Sequence, residues 1–224
     1  MINLDPLWLT AKLALITTLI LFVVSVPLCY WLCYSRFRLK AVVEALISLP
    51  LVLPPSVLGF YLLIAFSPEN AFGKFLSDYF DVRLVFTFEG LIAASVLYSL
   101  PFMVNPVLSG LKNLSPALQE ASFTLGKSRF TTLTKILLPN IRASLFTGII
   151  MTFAHTLGEF GVVLMVGGSI PEETKVVSIA IYEEVESMNY DNANIYAGIL
   201  FVFSFTILLV VHLINNKSRK TILY

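Results

Sequence analysis

Along the chain, apolar runs long enough to cross a bilayer alternate with short polar connections. A hydrocarbon core takes about 20 apolar residues as helix. Residues 13–35, 45–68 and 90–111 carry no charge, and residues 192–216 hold only His212 as an ionisable group. A fifth run, residues 143–170, is interrupted by one acid, Glu159, with His155 one turn earlier. The pattern predicts an all-α integral membrane protein of about five transmembrane helices, a single domain over residues 1–224. One long segment between the runs fits neither lipid nor a free linker. In Glu120–Pro139, Lys127, Ser128, Arg129 and Lys135 alternate with Phe123, Leu125, Phe130, Leu133, Ile136 and Leu137.

Local residues punctuate this segment. Ser115 and Pro116 read as N-cap and first helical residue. Gly126 reads as the stop of that helix, and Ser128 as the cap of a second one running to Pro139. The expected product is a helix–turn–helix hairpin over residues 115–139, between spans three and four. In span two, Pro50, Pro54 and Pro55 fall within six residues, followed by Gly59. Proline removes a helix hydrogen bond, and freed carbonyls are tolerated at membrane depth only where protein or water satisfies them. A bent, pore-lining helix is expected there, with a packing kink as the alternative. Pro101 and Pro106 predict a milder break in span three.

Composition agrees with this class. The chain is 57 % apolar and 13 % charged, with a mean hydropathy of +0.85. The N-terminus, MINLDPLWLT, lacks the basic start of a secretory signal, and its apolar run is too long for one, so the first span is expected to stay. The net charge of +1 gives no nucleic-acid footprint. Cys29 and Cys33 share a helix face in an apolar run, without further ligands at zinc spacing, and read as packing residues.

Charge decides orientation. Of the fifteen Lys and Arg residues, eleven gather on the side of the hairpin and the C-terminus, and four (Lys12, Lys74, Arg83, Lys175) on the other. By the positive-inside rule the N-terminus is outside and the C-terminus and hairpin are cytoplasmic. Eleven of the fourteen acids fall in external segments, read as solvated loops or as a docking face. Short interfacial helices are expected at Ala71–Phe80 and Lys175–Val185.

The hairpin has a recognisable spacing. Glu120-Ala121-Ser122, three residues, Gly126, nine residues, then Ile136-Leu137-Leu138-Pro139 resembles the EAA loop of ABC importer permeases. Ser122 in place of a second Ala is the one departure. LPLVLPPSVLGFYLL in span two, TLGEFG at Thr156–Gly161, IPEETKVVSIAIY at Ile170–Tyr182 and the opening LDPLWLTAKLAL are similar to molybdate importer permeases. The Gly-Glu-Phe-Gly box is shared with sulfate permeases. Where the molybdate group often has Gly in IPGET, this chain has Glu172.

The resemblance implies a type I ABC importer permease-like fold. It also implies a bacterial inner-membrane location and a coupling helix seated in a separate cytoplasmic ATPase subunit. Glu120, Ala121, Ser122, Gly126, Ile136, Leu138 and Pro139 would be the ATPase-coupling residues. An external binding protein would deliver the cargo, molybdate and possibly tungstate. A sulfate or other small-solute importer is the alternative within the class.

The residues themselves add to this. No catalytic constellation, metal cluster or Walker A loop occurs, so no enzymatic activity and no bound cofactor are expected, ATP and Mg²⁺ belonging to the partner subunit. Five spans are few for a pore, and a homodimer with two ATPase copies is expected. Thr152, His155, Thr156 and Glu159 lie at i, i+3, i+4 and i+7, one polar helical face. With Pro54, Pro55, Ser56, Gly158 and Gly161 they are the candidate translocation path or gate. Intramembrane acids are costly and commonly functional. Glu159 reads as shaping the gate through hydrogen bonds or an ion pair, or as a buried acid paired with a backbone group, more readily than as a direct anion contact. The glycines at 158, 161, 167 and 168 permit close helix approach or a broken helix. His212 reads as interfacial. A proton-coupled carrier using Glu159 and His155 would have no need of the hairpin.

Overall fold

Apolar side chains all round a helix leave no face for water, and the longest elements are of that kind. The computed structural model describes residues 3–220, with side chains to position 209, and every element among them is helical. The His212 side chain, expected at the inner interface, lies outside the described residues. Helix α1 (Asp5–Tyr34) starts well before the expected span and carries Pro27 within it. Lys12, expected outside the membrane segment, therefore sits inside α1, its ammonium 4.4 Å over the Phe88 ring.

The second apolar run is not one bent helix. It divides into α2 (Lys40–Ser48), continued by a 3₁₀ turn at Leu49–Leu51, and α3 (Pro55–Phe66). The two parts meet at 111°. Pro54 and Pro55 supply no amide donors, so the hydrogen-bond ladder cannot pass this point, and Pro55 becomes the first residue of a new helix.

A short helix, α4 (Ala71–Phe80), lies where one was expected, before α5 (Phe88–Lys112). Contrary to the expected break in span three, α5 runs unbroken through Pro101 and Pro106. Its start is capped by the Thr87 hydroxyl, which accepts from the Gly90 amide at 3.2 Å.

Beyond α5 come α6 (Pro116–Thr124) and α7 (Arg129–Thr132). The latter passes directly into a π-helical turn at Leu133–Leu137 and then into α8 (Leu138–Asn140). An 80° corner at Ile141 leads to α9 (Arg142–Leu157). The fourth run, too, is broken: α9 stops at Gly158, and α10 (Gly161–Gly167) follows. At 1.5 Å per residue α9 rises only about 24 Å, less than a hydrocarbon core. Helix α11 (Val177–Glu186) and the long α12 (Tyr190–Lys220) complete the chain.

Among the described residues three helices are long and apolar enough to cross a bilayer alone, or five if each bent pair forms one span. α1, α5 and α9 form the centre. Leu21, Cys29 and Leu32 of α1 pack there against Met103, Val104, Val107 and Leu111 of α5, with Leu137 and Ile141 closing the hairpin end. Cys29 is a packing residue whose thiol reaches the Val104 carbonyl at 3.5 Å. At the opposite end Leu62 and Phe66 of α3 and Val162 and Val166 of α10 share a cluster with Ala94 of α5. Two glycines allow that approach. A Cβ at Gly59 would stand 2.8 Å from the Met165 Cβ, and one at Gly161 2.8 Å from the Pro55 Cβ.

Candidate functional site

Two regions carry the residues singled out by sequence. The first is the hairpin at the end of α5. α6 ends in a Schellman motif, in which the Lys127 amide donates to the Ser122 carbonyl at 3.1 Å and the Gly126 amide to that of Phe123 at 2.9 Å. Gly126 takes φ +70°, and a Cβ there would meet nothing within 4 Å, so backbone conformation alone demands glycine. The Ser128 hydroxyl caps α7 by accepting from the Thr131 amide at 3.2 Å. The Ser115 side chain, expected to do the same for α6, makes no capping hydrogen bond.

Ser122 has a role that small size alone would not predict. Its Oγ lies 2.8 Å from Thr132 Oγ1 in a buried contact between the two arms. Thr132 spends its own proton on the Ser128 carbonyl at 2.9 Å, so Ser122 is the donor. Glu120, Ala121, Gly126 and Pro139 are exposed, while Ile136 and Leu138 are half-buried. Leu137, between them, is the side chain that enters the core. Phe123, Leu125 and Phe130 stand out around the turn, Phe130 at 75 % exposure.

The second region is the break between α9 and α10. A cavity of about 620 Å³ opens there, lined by Pro55, Ser56, Tyr98, Ala154, His155, Gly158, Glu159, Phe160 and Gly161. Residues far apart in sequence thus converge, α3 beginning at the same cavity wall. The Ser56 amide, the one N–H of the first turn that is neither a proline nor turned back on the Pro54 carbonyl, and the Ser56 and Tyr98 hydroxyls are donors without a full positive charge. Pro54 occupies the N-cap position of α3 without a side-chain cap, and Thr152 and Thr156 are buried on α9 and do not line the cavity. No Lys or Arg lines the cavity.

Glu159 does not extend the helical face of Thr152, His155 and Thr156, because the helix has already ended. Its residue is 4 % exposed. Among the described residues its carboxyl makes no ion pair and no hydrogen bond of ordinary geometry. The Ser95 hydroxyl of α5 stands near enough to act on it, which is the hydrogen bonding expected of it in weakened form. The backbone carbonyl of Glu159, in contrast, accepts from Ser178 Oγ at 2.6 Å.

His155 is held by α5. Its ring stacks on Phe102 at 3.9 Å between centroids and lies 4.7 Å from Tyr98. Ser99 Oγ is 2.9 Å from its Nδ1 and 3.0 Å from Thr156 Oγ1. Thr156 gives its proton to the Thr152 carbonyl at 3.0 Å. Ser99 must then give its proton to Thr156, which leaves Nδ1 of a neutral His155 as donor and Nε2 as acceptor. An anion in the cavity would find no donor in that ring.

Sequence reasoning missed Tyr98, Ser99 and Ser178. Ser95 and Ser99 are polar residues one turn apart in the N-terminal half of an apolar span, a signal readable in the sequence. Tyr98 and Ser178 gave none, since their meaning depends on which helix they face. Glu172, noted as a departure from glycine, takes φ +65°. Glycine would hold that left-handed position without strain.

The family model of the binding-protein-dependent transport system inner membrane component matches residues 25–219. A curated relative, the molybdenum transport system permease protein ModB of Azotobacter vinelandii, is 43 % identical over 94 % of this chain and 93 % of its own. The sulfate transport system permease protein CysT of Escherichia coli is 30 % identical over 84 % of this chain and 67 % of its own. Among solved structures, a bacterial ABC transporter that imports the acidic polysaccharide alginate aligns over 96 % of this chain and 79 % of its own, with TM-score 0.79 and 18 % identity. The inward-facing MetNI methionine ABC transporter aligns over 96 % and 95 %, with TM-score 0.73 and 17 % identity.

Proposed function

The chain belongs to the family of inner membrane components of binding-protein-dependent transport systems, and on that premise we propose that it is the membrane-spanning subunit of an ATP-driven importer for molybdate, with tungstate as a second cargo. The observation that carries the reading is the hairpin. Its Schellman turn projects exposed Phe123, Leu125 and Phe130 from the end of α5 in the spacing of the EAA loop. A permease that worked without an ATPase would have no use for such a projection.

In this reading two copies of the chain assemble around a central path, and each hairpin seats in one of two cytoplasmic ATPase subunits. The N-terminus is outside, where a binding protein delivers the anion. ATP and Mg²⁺ act in the ATPase, and this chain holds no cofactor. ATP-driven closure pulls the hairpins, and the rigid contact of Leu137 with the α1–α5 core carries the pull to the spans. The spans rock between outward- and inward-open states. Ser122, which ties the two arms, makes the hairpin move as one body.

The cavity at Glu159 supports a path in preference to a storage site. It offers the Ser56 and Tyr98 hydroxyls and the Ser56 amide to an oxyanion but no cation among its lining residues. Two like unit charges about 4 Å apart repel by about 4 kcal/mol at an effective dielectric of about 20, so Glu159, whenever ionised, would oppose a dianion. Weak holding suits passage, and high-affinity selection rests with the binding protein.

Molybdate is favoured by the more similar relative, which is named for molybdenum transport. A sulfate cargo is the second reading, favoured by relatives such as the sulfate permease at 30 % identity. The test is reconstitution of the chain with its ATPase and binding protein, followed by uptake of labelled molybdate in competition with tungstate and sulfate. Competition by tungstate and not by sulfate is expected. Uptake blocked by sulfate alone would move the cargo to sulfate, and uptake without ATP would end the ATP-driven reading.

A further inference from the structure

The backbone at the α9–α10 break is loosely held by its own chain segment. The Glu159 amide is 3.4 Å from the Thr156 carbonyl, and the Gly158 amide is shared between the carbonyls of His155 at 3.2 Å and Ala154 at 3.4 Å, all at the long end of the range. Support comes from α11. Ser178, in its first turn, donates to the Glu159 carbonyl at 2.6 Å. One turn later the Tyr182 ring packs 5.2 Å from that of Phe160.

α11 is itself anchored at the same end. The Val177 amide donates to Thr10 Oγ1 of α1 at 2.8 Å, in a buried contact. The loop before it is closed by Thr174, which accepts from the Ile170 amide at 2.9 Å and donates to the Gly167 carbonyl at 2.7 Å. Thr174 is fully buried. The loop and α11 therefore form a braced unit that grips one peptide of the break, the peptide whose side chain lines the cavity.

We propose that Ser178 is a positioning residue: its hydroxyl sets the conformation of the Gly158–Phe160 segment, so that displacement of α11 is transmitted to the cavity at Glu159. The geometric half of this proposal stands on the contacts alone. The transmission half rests on the importer reading, in which α11 lies on the outer face where the binding protein arrives. Ser178 touches no solute. It acts through the Glu159 carbonyl, and the Phe160–Tyr182 contact keeps the two segments in register while they move.

Two measurements on the assembled transporter test the halves separately. The first is hydrogen–deuterium exchange of the peptide containing residues 158–161 in the complex reconstituted in nanodiscs. Loss of one hydrogen bond is worth about 1 kcal/mol, so Ser178→Ala is expected to speed exchange there by about fivefold or more, with peptides of α5 unchanged. Ser178→Thr, which keeps the hydroxyl, is expected to restore the slow rate, and Ser178→Cys to fall between. If alanine alters the assembly as a whole, the cysteine and threonine variants still order the series. Exchange in the alanine or cysteine variant equal to wild type would overturn the positioning role.

The second is labelled molybdate uptake per ATP hydrolysed in proteoliposomes. Ser178→Ala is expected to lower that ratio about fivefold while ATP hydrolysis without binding protein stays unchanged, with rescue by Ser178→Thr. An unchanged ratio together with faster exchange would overturn transmission and leave positioning. Absence of any uptake by the wild-type complex would count against the importer reading, and the exchange series would still decide the positioning role.

Discussion

The chain interrupts two of its apolar runs, and it does so by opposite means. At Val52–Pro54 the interruption is made by the local sequence. Prolines 54 and 55 withhold two amides, and the 111° corner follows whatever surrounds it. At Gly158–Phe160 no residue forbids a helix. Gly158 has φ −93°, open to any residue, and a Cβ there would come no closer than 3.9 Å to its nearest neighbours. That break is held from outside, by Ser178 and Tyr182 of α11 and by the seat of α10 on α3. One interruption is written locally and is stiff. The other depends on partners and can be moved by them. They meet at the cavity, where Gly161 faces Pro55, so a stiff wall opposes a movable one.

The comparison can be broken most strongly at the contact between the walls. Gly161→Leu would drive a side chain into the Pro55 ring, 2.8 Å from its Cβ. Overpacking of this kind costs about 1–3 kcal/mol, and thermal unfolding in detergent should show a correspondingly lower midpoint together with lost uptake. A smaller effect of opposite sign is expected from Glu172→Gly in the loop before α11. It removes a left-handed strain at φ +65° and should stabilise by about 1 kcal/mol, raising the unfolding midpoint. Replacing Pro54 and Pro55 together by alanine should destabilise by less than about 1 kcal/mol, mainly by freeing the unfolded chain. If the corner is as locally written as argued, labels on α2 and α3 should then report a wider spread of distances.

Gly158→Ala should change stability by less than about 0.5 kcal/mol, because the position has room and ordinary dihedrals. A large loss there would mean that glycine itself makes the break. The smallest expected effect is on acidity. Burial alone would raise the Glu183 carboxyl, but Lys175, by its hydrogen bond and its charge, outweighs burial and holds it below its ordinary value. The ion pair of Lys175 with Glu183 therefore supports the base of α11 fully above the ordinary carboxylate range. It is lost as pH falls through the lower value. Exchange of the α11 amides should quicken only in acid, and Glu183→Gln should remove that dependence.

What was legible in the sequence follows the same division. The turn of the hairpin was legible, since Gly126 and Ser128 act through their own backbone and immediate neighbours, whereas the missing Ser115 cap and the π-helical turn in the second arm were not. The proline corner was legible as a disturbance but not in size, because no helix-period argument distinguishes a kink from a turn of 111°. The polar face through Glu159 was misdrawn. Periodicity assumes an unbroken helix, and the residues that end this one, Ser178 and Tyr182, lie some twenty positions later and act through space. Tyr98 and Ser99 joined the cavity for the same reason, through the packing of α5 on α9. Ser122 was read as small, and its hydroxyl bond to Thr132 needed the second arm in place to be seen.

The π-helical turn at Leu133–Leu137 bears on how this segment can vary. Such a turn holds one residue more than an α turn while the helix on either side keeps its phase. A deletion of one residue there would be absorbed by closing the wider ring, leaving α7 and α8 aligned. The interval between Gly126 and Ile136 would nonetheless shorten. Insertion and deletion tolerance in this arm is thus uncoupled from the counted spacing, and a chain of this architecture could lose the motif's arithmetic without losing its shape.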